Sequence, residues 1–232
     1  MTGVGYEVLE YQKQRIAPNQ IAAKVIPNSF DVKSVPVRQI PEVHEKIKFL
    51  FLTGSPFPWV GIDLLLKSIV DFPQKKKIEI FIVGPIINEY LKFCVENNIN
   101  DIVFFEGEKS GNDLDSYFSK CHIAFGTLAM QRVGLNEHSS LKVLEYASRG
   151  IPFVIAYQET NFFSVKEFSD FYLQLPYNGE RIDLKKVLIF AKKIIKDKQH
   201  AEQMRILSLK HLDTSIKMSS LKEFLLELNE NR

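Results

Sequence analysis

The chain has only two cysteines, Cys94 and Cys121, among its 232 residues. Two thiols without a CxxC pair or a His/Cys ligand spacing exclude a disulfide scaffold and a zinc module, and they favour a reducing compartment. No apolar run approaches the roughly 20 residues that cross a bilayer. The N-terminus has no basic segment followed by an apolar one, so no secretory signal is expected. We therefore expect a cytoplasmic protein.

The chain also lacks an excess of charge, since 30 Lys and Arg residues stand against 28 Asp and Glu residues. Nucleic-acid-binding domains are usually strongly basic, so nucleic acid is not expected as a partner. No G-x-G-x-x-G or G-x-x-x-x-G-K-[ST] follows a predicted strand, which argues against nicotinamide enzymes and P-loop NTPases. No Asp-x-Asp pair stands at a strand end, so no metal is expected.

What the chain does contain is a series of short, nearly continuous apolar runs, such as IKFLFLT, IEIFIVG and IPFVIAY. These runs predict six strands, at residues 46–53, 77–84, 101–106, 122–127, 151–157 and 171–175. Helical spacing between them predicts helices at about 61–72, 88–97, 114–120 and 141–149. Alternating helices and strands that are buried on both faces predict an α/β fold with a parallel, Rossmann-like sheet.

The two ends of the chain differ from this pattern. Residues 1–40 predict a helix at 6–15, a short strand at 23–26 and a linker. After a turn at Asn178 and Gly179, helices are predicted at about 183–198, 201–212 and 217–229. The first of these has an apolar stripe opposite a row of lysines. Such a stripe either packs into a core or lies on an anionic membrane, and both interpretations stay open.

The most informative segment is a polar loop that leads into the helix predicted from Leu141. Ser139 or Ser140 suits the N-cap of this helix. Its first amides and the positive end of the helix dipole suit a phosphate or diphosphate. Glu137 stands just before this end of the helix, and Glu145 about one turn inside it.

This Glu-x7-Glu pair resembles the donor-site signature of glycosyltransferase family 4, retaining enzymes of the GT-B fold. Four other segments, within residues 22–157, resemble the family's interdomain linker and its strand ends: Val25-Ile-Pro-Asn-Ser-Phe-Asp, Leu52-Thr-Gly54 with Trp59-Val-Gly61, Ile82-Val-Gly84 and Val103-Phe-Phe-Glu-Gly107. The resemblance implies that residues 41–232 form a donor-binding, Rossmann-like C-terminal domain. Residues 1–40 would be the linker and a remnant of the N-terminal, acceptor-binding domain.

The resemblance also implies roles for individual residues. The residue matching Glu137 contacts donor-sugar hydroxyls, as part of the catalytic machinery, and the residue matching Glu145 holds the ribose. A carboxylate suits both tasks because it accepts two hydrogen bonds from a diol. Further contacts to a nucleotide-diphosphate sugar are expected from Gly54, Ser55, Gly107, Arg132, His138, Ser139, Ser140, Leu141 and Lys142. No cofactor is expected beyond this donor substrate.

Spacing alone permits a simpler interpretation, in which Glu145 makes helix-surface pairs with Lys142 and Arg149. The family usually has two basic residues near the first strand, where this chain has Ser55 and Val60. Arg132 or Lys142 would have to supply the missing charge.

Of the five histidines, only His138 lies in the polar loop that leads into the helix at Leu141, which we call the signature loop. Surface or core roles are expected for the other four: His44, His122, His200 and His211.

We therefore expect the donor-binding half of a retaining hexosyltransferase that builds bacterial surface polysaccharide. Its acceptor would be a glycan or a lipid-linked sugar, used in the cytoplasm or at the inner face of the membrane. Little activity is expected without an acceptor domain, because orienting two substrates lowers a barrier by about 7–11 kcal/mol. Two alternatives stay open: a non-catalytic Rossmann-like binding or assembly module, and one subunit of a two-chain enzyme whose second chain supplies the acceptor domain.

Overall fold

The computed structural model describes residues 1–15, 22–55, 57–176, 179 and 181–230. Within these ranges the strands are β1 (Thr2–Gly3), β2 (Lys24–Val25), β3 (Ile47–Leu52), β4 (Ile78–Val83), β5 (Val103–Gly107), β6 (Ile123–Phe125), β7 (Glu137–His138), β8 (Phe153–Ile155), β9 (Gln158–Glu159) and β10 (Tyr172–Gln174). The α-helices are α1 (Tyr6–Arg15), α2 (Ile62–Val70), α3 (Asn88–Glu96), α4 (Gly111–Lys120), α5 (Leu141–Arg149), α6 (Leu184–Ile194), α7 (His200–His211) and α8 (Thr214–Glu230). The predicted turn residue Asn178 lies outside the described residues.

Six strands form one parallel sheet in the order β5-β4-β3-β6-β8-β10. Counted along the chain, this is the 3-2-1-4-5-6 order of dinucleotide-binding folds. All six strands lie where the apolar runs predict them, and α5 has its predicted bounds. The α/β fold with a parallel, Rossmann-like sheet is confirmed.

The lysine-rich helix α6 packs its apolar stripe into the core, where Leu184, Val187, Leu188, Ala191 and Ile194 are buried. The membrane interpretation of this stripe is therefore wrong, because its apolar surface is already covered by the protein. Among the described residues, no helix is long and apolar enough to cross a membrane.

Helix α5 is fixed above the sheet by the fully buried Tyr146. The Tyr146 hydroxyl accepts a hydrogen bond from the Leu52 amide at 3.0 Å and donates one to the Phe125 carbonyl at 3.0 Å. These two partners belong to β3 and β6, the neighbouring strands between which the strand order reverses. Ligands of such sheets bind outside the carboxyl ends of the strands at this point. Tyr146 therefore holds α5 beside the expected ligand position.

The C-terminal end of α5 is held by the buried guanidinium of Arg38. Its Nε donates to the carbonyl of Gly150 at 2.9 Å, and Nη1 donates to the carbonyl of Cys121 just after α4. His200, for which a surface or core role is expected, is fully buried, and its Nε2 lies 2.7 Å from Nη2 of Arg38. Burial, and secondly the Arg38 charge, lower the pKa of His200 to about 4, so its neutral ring can accept this bond.

Replacing Arg38 should destabilise the fold strongly. Arg38→Met leaves several buried carbonyl groups without a donor, and we expect the free energy of unfolding to fall by about 3 kcal/mol or more. Arg38→Lys should recover little, because an ammonium lacks the planar fork. Denaturant unfolding measures both variants, with the exposed Arg15→Met as control. A fully stable Arg38→Lys protein would contradict this role of the fork.

Candidate functional site

A cavity of about 570 Å³ opens at the carboxyl edge of the sheet, where α5 begins. Its volume lies within the range of small-molecule sites, roughly 300–1,000 Å³. It is lined by residues that end or follow β3, β4 and β5 and by the first turns of α5: Leu52, Thr53, Gly54, Val83, Gly84, Glu108, Lys109, Ser110, Leu141, Lys142 and Glu145, together with Phe30 and Leu114. We refer to it as the donor cavity, because the family resemblance predicts the donor substrate at this edge of the sheet.

The donor cavity requires a close approach of two strand ends. Gly84 has φ +145°, and a Cβ atom there would lie only 1.9 Å from the carbonyl oxygen of Thr53. Any other residue at this position would push the ends of β3 and β4 apart. Gly54, at the end of β3, has open space around it, which leaves this wall of the cavity free for a ligand.

The first turn of α5 offers backbone amides to the donor cavity. The Ser140 amide, expected to be free, donates to Glu159 Oε2 at 3.1 Å. The amides of Leu141 and Lys142 have no acceptor within the described part of the chain. Because free amides and the helix dipole both attract negative charge, this end of α5 remains suited to a phosphate group.

Lys142 supplies a half-buried cation in the wall of the donor cavity. Its ammonium lies 5.4 Å from the centre of the Phe51 ring and 3.3 Å from the carbonyl oxygen of Leu52. Burial lowers the pKa of Lys142 to about 8. No carboxylate in the described ranges pairs with it, and the expected pair with Glu145 does not form. An anionic ligand would provide the counter-charge that Lys142 lacks.

Glu145 lines the same cavity one turn further along α5. Its Oε1 accepts a hydrogen bond from Arg149 Nε at 2.8 Å, and Arg149 also binds Asp115 at 2.6 Å. The helix-surface pairing with Arg149 therefore exists. The pairing also fixes the Glu145 side chain against the cavity, so the two interpretations of this residue are compatible.

Glu137 lies outside the lining of the donor cavity and is 7% exposed. Its carboxylate accepts hydrogen bonds from the amide of Tyr6 at 2.6 Å, the amide of Glu7 at 3.3 Å and the hydroxyl of Thr160 at 2.9 Å. In return, the Glu7 carboxylate accepts from the amides of Asn136 at 2.9 Å and of Glu137 at 3.1 Å. In this structure the start of α1 therefore occupies the carboxylate that the family resemblance assigns to the donor sugar.

Two residues of the signature loop connect it to its surroundings. The Ser139 hydroxyl accepts from the Asn28 amide at 2.9 Å, and the Ser139 carbonyl accepts from Asn28 Nδ2 at 2.7 Å. The His138 ring contacts Tyr157 edge-on, with centroids 5.5 Å apart. Burial, and secondly the Lys142 charge, lower the pKa of His138 to about 4. His138 is thus a neutral packing residue at physiological pH.

Three further predicted site residues, Arg132, Ser55 and Gly107, do not line the donor cavity. Arg132 makes a bidentate ion pair with Asp63, with both N–O distances 2.8 Å, so its charge is already neutralised. Ser55 accepts a hydrogen bond from the Thr53 hydroxyl through its carbonyl at 2.8 Å. Gly107 ends β5 with φ +72°. Of the predicted set, the structure brings together Gly54, Leu141, Lys142 and Glu145.

The motifs did not indicate Glu159, a fully buried carboxylate beside α5. Besides the Ser140 amide, it accepts from the Tyr157 hydroxyl at 3.2 Å and from Asn161 Nδ2 at 3.2 Å. Burial raises its pKa to about 7. The available signal was an acidic residue close behind the apolar run IPFVIAY, at the ligand-binding edge of a parallel sheet.

Sequence and structure comparisons define the class of protein. The chain belongs to the family described as glycosyl transferases group 1, whose profile matches residues 36–205. No curated protein sequence matches it.

Solved structures resemble the chain over nearly its whole length. They include a glycosyltransferase from Rickettsia africae ESF-5 (TM-score 0.72, 11% identity, 100% of this chain and 64% of that one), Anabaena Alr3699/HepE in complex with UDP (0.70, 14%, 97% and 63%), and the Thermosynechococcus elongatus sucrose-phosphate synthase (0.69, 13%, 100% and 58%). At these identities the likeness shows the fold, that of the Rossmann-like domain of GT-B glycosyltransferases. The chain spans 58–64% of the length of these proteins.

Glu159 should make stability depend on pH. Its folded-state pKa is raised from 4.5 to about 7, so the folded protein binds this proton more tightly than the unfolded chain. Its contribution to the free energy of unfolding therefore falls as pH rises from about 4.5 to 7. His138 and His200, whose pKa values are lowered to about 4, act in the opposite direction below about pH 6.5.

The Glu159→Gln variant isolates this contribution. We expect its stability relative to the wild type to rise with pH between about pH 4.5 and 7, because the variant lacks the contribution of Glu159 that falls over this range. Denaturant unfolding at several pH values measures the difference, with the exposed Glu202→Gln as control. A difference that does not change with pH would contradict the assignment.

Proposed function

We propose that the chain is the donor-binding half of a retaining glycosyltransferase and that the donor cavity holds a nucleotide-diphosphate sugar. One observation carries the proposal: free amides, the unpaired Lys142 ammonium and the Glu145 carboxylate meet in one cavity at the switch point of the sheet. Anabaena Alr3699/HepE, which resembles this chain at 15% identity, has been solved with UDP-glucose. That complex supports a nucleotide sugar as the ligand class.

The diphosphate would lie against the start of α5. The amides of Leu141 and Lys142 and the Lys142 ammonium are all donors, and none has to be displaced from a carboxylate first. Lys109 adds a second cation to the lining. When the sugar leaves, negative charge grows on the nucleoside diphosphate, and donors already in position stabilise it without reorganisation.

The ribose would lie further along α5, against Glu145. Arg149 Nε donates to Oε1 of this carboxylate, which orients the group. A charged carboxylate accepts hydrogen bonds from neighbouring ribose hydroxyls more strongly than a neutral amide does. The acceptor in this proposal is a glycan or lipid-linked sugar of a bacterial surface polysaccharide, used on the cytoplasmic side of the membrane.

A second candidate is a nucleotide-binding module that transfers no sugar. The capture of Glu137 by the amides of Tyr6 and Glu7 favours it, because a sugar could reach this carboxylate only if the start of α1 moved away. A two-chain enzyme is compatible only with the first candidate, since the partner chain would bring the acceptor site for sugar transfer.

Nucleotide binding tests the donor cavity directly. UDP, GDP or ADP should bind with micromolar to millimolar affinity in calorimetry and raise the melting temperature. Lys142→Gln and Glu145→Gln should each weaken binding about 10-fold or more, since a charge-assisted hydrogen bond contributes about 1.5–3 kcal/mol. Lys92→Gln, at an exposed lysine of α3, is the control. If none of the three nucleotides binds at millimolar concentration, the proposal fails.

Glu137→Gln distinguishes the two candidates. The donor-binding proposal expects the variant to bind the nucleotide normally but to lose affinity for the nucleotide sugar, so the ratio of the two dissociation constants changes. Stability should also fall by about 1 kcal/mol, because a charged cap of α1 is lost. An unchanged ratio together with reduced stability would contradict the sugar contact and favour the module without transfer.

A further inference from the structure

The donor cavity reaches the segment that connects β5 to α4. Residues 108–110 of this segment belong to the lining, and we call them the β5 loop. The loop begins beside the end of β4, because the Gly84 amide donates to the Gly107 carbonyl at 3.0 Å. Gly107 has φ +72°, a left-handed conformation that is typical of a turn. The β5 loop therefore leaves the sheet at the edge where a ligand would bind.

The position of the β5 loop suits the base of a bound nucleotide. Lys142 contacts the end of β3 through the Leu52 carbonyl at 3.3 Å, and β5 stands two strands away, which is about 10 Å across a parallel sheet. Arg149 joins Glu145 to Asp115 of α4 by ion pairs of 2.8 and 2.6 Å. A ribose at Glu145 would thus lie next to α4, the helix that the β5 loop enters. With the diphosphate at Lys142, the base would lie against the β5 loop.

The β5 loop offers this base an unpaired carboxylate. Glu108 is exposed, and its side chain forms no hydrogen bond or ion pair in the described part of the chain, not even with the adjacent Lys109. The Ser110 hydroxyl does not cap α4, although Ser110 is the N-cap residue. Phe30 and Leu114, both half-buried, add apolar side chains to the lining, which suit the faces of a base. A ligand can reach each of these groups from the cavity.

A free carboxylate distinguishes between the common bases. It accepts hydrogen bonds and donates none, so it fits best to an edge with two neighbouring donors. Guanine has such an edge, formed by N1–H and the N2 amino group. Adenine and uracil place an acceptor beside the donor, so the second carboxylate oxygen would face an acceptor with no proton between them. A site built for two hydrogen bonds rejects ligands that cannot make both.

We propose that the donor cavity takes a guanosine diphosphate sugar and that Glu108 selects the base. The Glu108 carboxylate accepts from N1–H and from the N2 amino group of guanine, and the Ser110 hydroxyl donates to O6. Phe30 and Leu114 contact the ring. This proposal rests on the nucleotide-sugar function proposed above and adds the identity of the base. Glu108 is a specificity residue and takes no part in sugar transfer.

Calorimetry on the full chain tests the choice of base, with GDP, UDP, ADP and inosine diphosphate (IDP) as probes. GDP should bind about 10-fold or more tightly than UDP or ADP, because only guanine satisfies both carboxylate oxygens. IDP differs from GDP only in lacking the N2 amino group. It should also bind about 10-fold more weakly than GDP, since one charge-assisted hydrogen bond is lost.

Glu108→Gln isolates the carboxylate from the rest of the cavity. The amide presents one acceptor instead of two, so the affinity for GDP relative to UDP should fall about 10-fold, and the preference for GDP over IDP should be lost. Asp113→Asn is the matched control, since it removes an exposed carboxylate of α4 that does not line the cavity. The control should leave both affinity ratios unchanged.

The outcomes separate this proposal from the function on which it rests. UDP or ADP binding as tightly as GDP would overturn the choice of guanine and would still support a nucleotide site. Equal affinities for GDP and IDP, or unchanged ratios in Glu108→Gln, would overturn the role of Glu108. If none of the four nucleotides binds at millimolar concentration, both proposals fail.

Discussion

The hydroxyl of Tyr146 is the contact on which the ligand-binding edge of this protein depends. In a doubly wound fold, ligands bind in a crevice outside the carboxyl ends of the strands, at the point where the strand order reverses. A helix beside that crevice must be held in place without closing it. Tyr146 bonds to β3 and β6, the paired strands on the two sides of this point, from one atom of α5. Arg38 holds the C-terminal end of the same helix through the Gly150 carbonyl. Held at these two points, α5 keeps its free amides directed towards the donor cavity.

Charge at the start of α5 is balanced between opposing groups. Glu159 takes the Ser140 amide, and its carboxylate lies close to the place where a diphosphate would bind. A bound diphosphate would disfavour the charged form of this carboxylate, whose pKa is already about 7, so nucleotide binding and protonation of Glu159 should favour each other. Lys142 responds in the opposite way: burial disfavours its charged form, and a bound anion would favour that form again. The cavity therefore gains most from an anion near neutral pH.

Sequence patterns predicted the six sheet strands and α5 because these depend on local spacing: continuous apolar runs for buried strands, and an N-cap serine followed by helical apolar spacing for the helix. They could not predict which carboxylates are free. Glu137 bonds to the Tyr6 amide across 131 residues of chain, and Arg132 pairs with Asp63 across 69. Such contacts are made by the tertiary fold, so a Glu-x7-Glu spacing indicated the site but not the present partner of Glu137.

The contact between α1 and Glu137 sets the condition under which a sugar could bind. Both parts of the contact are cap-like: Glu137 accepts two amides of α1, and Glu7 accepts two amides of the signature loop. Bonds of this kind contribute about 0.5–2 kcal/mol each, which is comparable to what a sugar hydroxyl gains from a carboxylate. The start of α1 and a donor sugar would therefore compete for one carboxylate on nearly equal terms. A small change in the packing of α1 would then decide which of the two Glu137 holds.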